Sequence, residues 1–159
     1  MSFTIRGAVP GDVPTIVRLV RALAEYEKLT HEAQGTEADF HRALFGEAPH
    51  AGAMIAEVAG ASVAICVWYR TFSTFTGRHG IWVEDIFVEP EHRGIGIARA
   101  MFQALARRVI AEGGARLEWS VLDWNAPAIG AYRAMGARGL DDWTMQRVDG
   151  AALEALAGG

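Results

Sequence analysis

Hydrophobic residues along this chain recur at two spacings, and the switches between them mark out the elements. Residues Phe3 to Ala8 alternate as a first strand. Gly11-Asp12-Val13-Pro14 then reads as a helix start, with Asp12 as N-cap and Pro14 in the first turn. Ile16, Val17, Leu19, Val20, Leu23 and Ala24 recur at helical spacing up to about Lys28, leaving Arg18, Arg21 and Glu25 on the wet face. Thr36, with Asp39 three residues on, predicts a second short helix to Phe45. Two β-type runs, Ala53 to Val58 and Ser62 to Tyr69, flank the turn-like Ala59-Gly60-Ala61 and predict a hairpin. Ser73 to Gly80 has no periodicity and carries Gly77 and Gly80, so it reads as a loop before the strand Ile81 to Val88.

The second half repeats the alternation of strand and helix. A long helix over about Ile95 to Glu112 ends at Gly113-Gly114, and Arg116 to Leu122 supplies another strand. Asn125 caps a helix through Met135, with Pro127 tolerated in its first turn. Trp143 to Val148 is expected as a last strand and Ala151 to Leu156 as a short helical tail. No linker, repeat or low-complexity segment interrupts the order βααβββαβαβ, which belongs to one mixed α/β sheet in a single domain of residues 1–159.

Composition narrows the classes. With 51% hydrophobic and 21% charged residues over 159 positions, the chain can bury a real core, and no apolar run approaches the roughly 18 residues of a membrane span. The N-terminal Met1-Ser2-Phe3-Thr4-Ile5-Arg6 does not resemble a signal peptide, so a cytoplasmic protein without membrane partners is expected. Cys66 is the single cysteine, which excludes an internal disulfide or a thiolate zinc cluster, and its apolar neighbours mark it as a packed small residue. His79 and His92 lack metal-ligand spacing and are expected at the surface, and no metal is expected. A net charge of −4 argues against nucleic acid and accommodates a cationic small substrate.

The stretch most loaded with chemistry is Val83 to Phe102. Two adjacent acids, Glu84 and Asp85, sit on a strand that runs through Arg93-Gly94-Ile95-Gly96-Ile97-Ala98 into a helix. Small residues at 94, 96 and 98 let a ligand approach the backbone, and the first N–H groups of the helix lack intrahelical partners. Helix dipole and Arg93 together suit a pyrophosphate. A dinucleotide fingerprint would want glycine where Arg99 stands, and a P-loop needs a Gly-Lys-Ser/Thr ending that is absent.

Nearly the whole chain resembles the GCN5-related N-acetyltransferases. Arg93, Gly96 and Ala98 fill that family's Gln/Arg-x-x-Gly-x-Gly/Ala motif, after a strand and before a strand and an Asn-capped helix carrying a tyrosine. Ala24-Glu25-Tyr26-Glu27, Val83 to Val88 and Trp124 to Ile129 resemble the spermidine/spermine (diamine) acetyltransferase branch. The resemblance implies a mostly antiparallel, twisted sheet of six to seven strands with splayed central strands, acetyl-CoA as cosubstrate, and a homodimer. It implies acetyl-CoA contacts at Ile86, Phe87 and Val88, at Gly94, Ile95, Gly96, Ile97, Ala98 and Arg99, and at Asn125, Ala126, Pro127 and Ala128. It also implies an acceptor site at Tyr26, Glu27 and Glu84, and Tyr132, beside the cofactor, as the acid.

The chemistry sets its own demands. An alkyl ammonium with a pKa of about 10.4 has no lone pair at neutral pH, so a base is needed, and Glu84 is the candidate. Asp85, its neighbour, should point to the opposite face unless a bulge intervenes; the family carries one, so both acids can meet the substrate. Tyr132 could protonate the leaving thiolate. The implied activity is acetyl transfer to a primary amine of a small cationic acceptor, by direct attack. Alternatives are a non-catalytic CoA-binding sensor, or a protein or aminoacyl-tRNA acceptor. In the polyamine enzymes the loop before the catalytic strand carries an acid. Phe72 to Arg78 has none here, which favours a shorter diamine or a lysine-like amino acid such as thialysine, whose carboxylate Arg78 could meet.

Overall fold

In the computed structural model, residues 2–159 are described. They fall into two compact units, one running to Asp123 and one of Trp124–Gly159. The first holds a five-stranded sheet in the order β1-β2-β3-β4-β5, made of β1 (Thr4–Gly7), β2 (Gly52–Val58), β3 (Ala61–Ser73), β4 (Arg78–Val88) and β5 (Arg116–Glu118). It also holds α1 (Val13–Tyr26), α2 (Glu37–Phe45) and α3 (Ile97–Ala111). Strands β1 to β4 pair antiparallel, and β5 joins β4 in parallel, which makes the sheet mixed and mostly antiparallel as expected. The second unit holds α4 (Ala126–Ala134) and α5 (Gly150–Gly158).

Strand β3 is the middle of the sheet, and its run from Val63 to Trp68 is buried throughout. A central strand covered on both faces needs such a continuous apolar run. The α1 stripe of Ile16, Leu19 and Leu23 clusters with Ile55, Ile65, Val67 and Phe87. Each such side chain contributes about 1.5–3 kcal/mol when fully buried. With Ile65 and Val67 claimed by α1, period-two alternation leaves Ala64 and Cys66 to the opposite face, and α3, with Met101 and Leu105 buried, contacts β3 and β4. Cys66 is fully buried, and desolvation pushes its thiol up to about 12, so it is the packed residue the sequence implies.

Several expectations need correction. The sheet has five strands among the described residues, not six to seven. Trp143 to Val148 forms no strand, although Trp143 and Met145 have the alternation of one; β pairing needs a partner edge that residues 143–148 do not find among the described residues. The strand expected over Arg116 to Leu122 is only Arg116–Glu118. The loop expected over Ser73 to Gly80 shrinks to residues 74–77, because β3 and β4 continue pairing out to Ser73 and Arg78. Asp12 does not cap α1 through its side chain. Its carboxylate instead accepts from Val9 N (2.8 Å) and takes the Arg6 guanidinium in two bonds of 2.7 and 2.9 Å, a charged fork stronger than a cap bond. His79 and His92 are half-buried, beside Glu112 (3.3 Å) and Glu89 (3.9 Å) respectively, not at the surface. The hairpin, the Thr36 cap on Asp39 N and the helical tail are as expected.

Candidate active site

The candidate acids sit at an irregularity of β4. Val67 pairs with Asp85 and Trp68 with Val83, which leaves Glu84 as the extra residue of a β-bulge. A bulge breaks the alternation that would send neighbouring side chains to opposite faces. Glu84 is exposed and accepts a hydrogen bond from Trp82 Nε1 at 3.0 Å. Asp85 is half-buried, and its carboxyl is pushed up to about 6, first by desolvation and then by the charges of Glu84 and Glu27. The charges of Glu84, on the same strand, and of Glu27, at the end of α1, thus both act on Asp85.

Glu27 comes from the C-terminal end of α1, where it is the C-cap and half-buried; burial raises its carboxyl. The helix closes with Lys28 N donating to Glu25 O and Leu29 N to Ala24 O, the two bonds of a Schellman motif. The left-handed position of that motif is held by Lys28 at φ 61°, where glycine is usual and another residue costs on the order of 1 kcal/mol. Tyr26, the last residue of α1, is partly exposed. The Arg93 guanidinium lies 4.9 Å over its ring and 5.6 Å from the Phe87 ring, and Arg93 Nε donates to Val88 O at 2.9 Å. Arg93 thus ties the glycine turn to both α1 and the end of β4.

The turn itself is open. Gly94 and Gly96 take φ 81° and 93°, and a Cβ built at either would meet nothing within 4 Å. Gly96 is the N-cap of α3 with no side-chain cap bond, so the first amides of the helix face outward with Arg99 exposed nearby. These features fit a diphosphate held by backbone N–H groups. The helix begins at Ile97, not Ile95, and the Ile97 side chain is buried, so Ile97 can offer a ligand only its backbone.

Strand β5 pairs with β4 only at Gly80, Ile81 and Trp82. Beyond that point β4 continues to Val88 with no β5 partner, so the backbone groups of that length that point away from β3 are not bonded to β5, and Val88 O takes Arg93 Nε instead. Phe87 and Val88 have buried side chains, so these positions too can offer a ligand only their backbone. In the second unit, Asn125 Oδ1 accepts from Ala128 N at 3.3 Å and caps α4, with Pro127 in the first turn; Tyr132 lies half-buried on the same helix.

Sequence reasoning missed Trp82, whose indole donates to Glu84. It was findable, since side chains two apart on a strand share a face.

Asp85 has a consequence for stability. Its folded pKa of about 6 lies above the ordinary aspartate value of 3.8, so folding favours its protonated form. That contribution is fully present below about pH 4 and is lost as pH rises through about 6. Asp85→Asn is therefore expected to stabilise the fold at pH 8 by up to about 3 kcal/mol, with the gain vanishing near pH 4. Urea unfolding of both proteins at the two pH values measures this; an equal gain at both would rule out the titration.

Comparison with known proteins agrees with this arrangement. Residues 18–137 match the model of the acetyltransferase (GNAT) family. The chain is 38% identical to the thialysine N-epsilon-acetyltransferase of Bos taurus, over 97% of this chain and 96% of that protein. It is 25% identical to an L-ornithine N5-acetyltransferase of Arabidopsis thaliana, over 96% of this chain and 86% of that one. In fold it resembles an integron cassette protein from the mobile metagenome of V. cholerae, with a TM-score of 0.83, 23% identity and coverage of 100% and 99% of the two chains. The family match spans most of the chain, and with full-length likeness to a named N-acetyltransferase it establishes that this chain belongs to the GNAT acetyltransferase family, whose cosubstrate is acetyl-CoA.

Proposed function

We propose that the protein transfers the acetyl group of acetyl-CoA to the side-chain amine of a small cationic acceptor, a lysine-like amino acid ahead of a diamine. The observation that carries this is the bulge of β4, which sets Glu84 next to a desolvated Asp85 on the strand that leads into the open glycine turn. Acids at that point attract an ammonium, and the turn suits the diphosphate of the donor. End-to-end likeness to enzymes named for thialysine and ornithine supports the acceptor class.

In this reading, Ile86, Phe87, Val88, residues 93–99, Asn125, Ala126, Pro127 and Ala128 bind the donor. Tyr26, Glu27, Glu84 and Asp85 bind the acceptor. Glu84 removes a proton from the ammonium, directly or through water, and the freed lone pair attacks the thioester carbonyl carbon. A backbone N–H from the unpaired length of β4 stabilises the oxyanion. As the carbon–sulfur bond breaks, Tyr132 gives its proton to the thiolate. No metal and no covalent enzyme intermediate takes part.

The two compact units act as one acetyltransferase domain, working as a homodimer in the cytoplasm without nucleic acid or membrane partners. A net charge of −4, a single buried cysteine and the absence of any helix long and apolar enough to cross a membrane among the described residues support this setting. Exposed Trp143, Met145 and Leu156 support self-association.

Thiol release from acetyl-CoA by the purified protein, screened over ornithine, thialysine, putrescine, spermidine, a lysine-tailed peptide and an aminoacyl-tRNA, tests the reading. Turnover is expected with the small amino acids and short diamines. Turnover confined to the peptide or tRNA would overturn it, as would CoA binding by calorimetry without transfer to any amine.

A further inference from the structure

Glu84 is an exposed glutamate on a bulge, which is a loose mounting for a base. An exposed glutamate samples many rotamers, and ordering it costs entropy. A base must lie within hydrogen-bond reach of the proton it takes, and a misplacement of about 1 Å can cost about a hundredfold in rate. A glutamate that serves as base therefore needs a group to hold its carboxylate.

Trp82 is placed for that. Its Nε1 donates to Glu84 Oε2 at 3.0 Å. An indole carries one donor and no acceptor, so the direction of this bond is fixed, and a carboxylate acceptor makes it a charge-assisted one. The backbone under the indole is firmly held: Trp82 pairs with Tyr69 of β3 on one side and with Glu118 of β5 on the other, and it is the last residue of β4 paired on both sides. The bulge follows directly, and by re-aiming Glu84 it frees that side chain from the regular alternation of the strand. Burial alone does not force the bond. Trp68, buried on the adjoining β3, leaves its own Nε1 without a hydrogen-bond partner among the described residues.

We propose that Trp82 is a positioning residue for the base: its indole N–H fixes Glu84 Oε2, so that Oε1 meets the ammonium of the acceptor in one orientation. This rests on the acetyl-transfer reading above, with Glu84 as base, and deepens it. The proton leaves the ammonium for Oε1, directly or through water, while the indole keeps its own. Trp82 thus acts through Glu84 and not on the reacting atoms.

Trp82→Phe removes the N–H and keeps an aromatic ring. Replacing the indole by benzothiophene, with sulfur where the N–H stood, keeps the whole shape and guards against a folding defect. Each change is expected to lower kcat with putrescine or ornithine about tenfold, with KM for acetyl-CoA unchanged. With ethylenediamine, whose two ammonium groups lower one another's pKa, the loss should shrink, because less of the amine needs a base. In a Glu84→Gln background the same changes should cost no more than about twofold, since the group Trp82 acts through is already gone. A benzothiophene protein within about twofold of wild type overturns the proposal. So does a loss as large in the Glu84→Gln background as in wild type, which would mark the ring as structural. Both of these results leave acetyl transfer intact. If Glu84→Gln alone keeps the wild-type rate, or if wild type acetylates no amine, the underlying reading falls and this inference falls with it.

Discussion

Tyr132→Phe is expected to lower kcat by about 10² to 10³ at saturating acetyl-CoA and amine, the range of a positioned general acid. A free thiol titrates near 8.5, so at neutral pH the departing thiolate takes a proton, and the phenol is its proposed source. The substitution removes one oxygen from a half-buried side chain on α4 and leaves the Asn125 cap of that helix in place. Thermal melts and calorimetry separate loss of the proton donor, which lowers kcat alone, from a loss of stability or CoA affinity. A thioester whose thiol is more acidic needs less help in leaving, so such a donor should recover part of the lost rate. Full turnover in the variant would remove Tyr132 from the acid role.

Glu84→Gln is expected to cut kcat/KM for the amine by a similar 10² to 10³. The loss should shrink for acceptors of lower pKa, because less of the amine then needs a base. Asp85 supplies the internal comparison. Its carboxyl, near 6, should impose an acidic limb on the rate profile if its charge helps to hold the ammonium, and Asp85→Asn should abolish that limb. If Asp85→Asn instead produces the larger fall in kcat and Glu84→Gln leaves it intact, the two acids exchange roles.

Much of the fold was legible because local periodicity and turn chemistry agreed with the tertiary outcome. The apolar stripe of α1, the continuous run of β3 and the Thr36 and Asn125 caps are properties of short windows, and each formed as read. Trp143 to Val148 has comparable strand propensity and stays unpaired, since a strand exists only where another strand offers its edge. Asp12 had the position of a cap and took Arg6 instead, a partner brought close by the chain's turn between β1 and α1.

The site divides in the same way. Glycines at 94 and 96 before a helix, acids at 84 and 85, and a tyrosine after an Asn cap are sequence facts, and it is the family resemblance that makes them a donor turn, a base and an acid. That Glu84 is the odd residue of a bulge, that Asp85 is desolvated beside Glu27 from a distant helix, and that Arg93 stacks on Tyr26 depend on long-range register and packing. By itself the sequence determined the residue types, the element order as far as α4 and the glycine turn, because these follow from near-neighbour sterics and hydrogen bonding. Only the tertiary structure decided which acid is desolvated, and which charges share one place. Dielectric and distance are properties of groups far apart in the chain, and no short window of residues contains them.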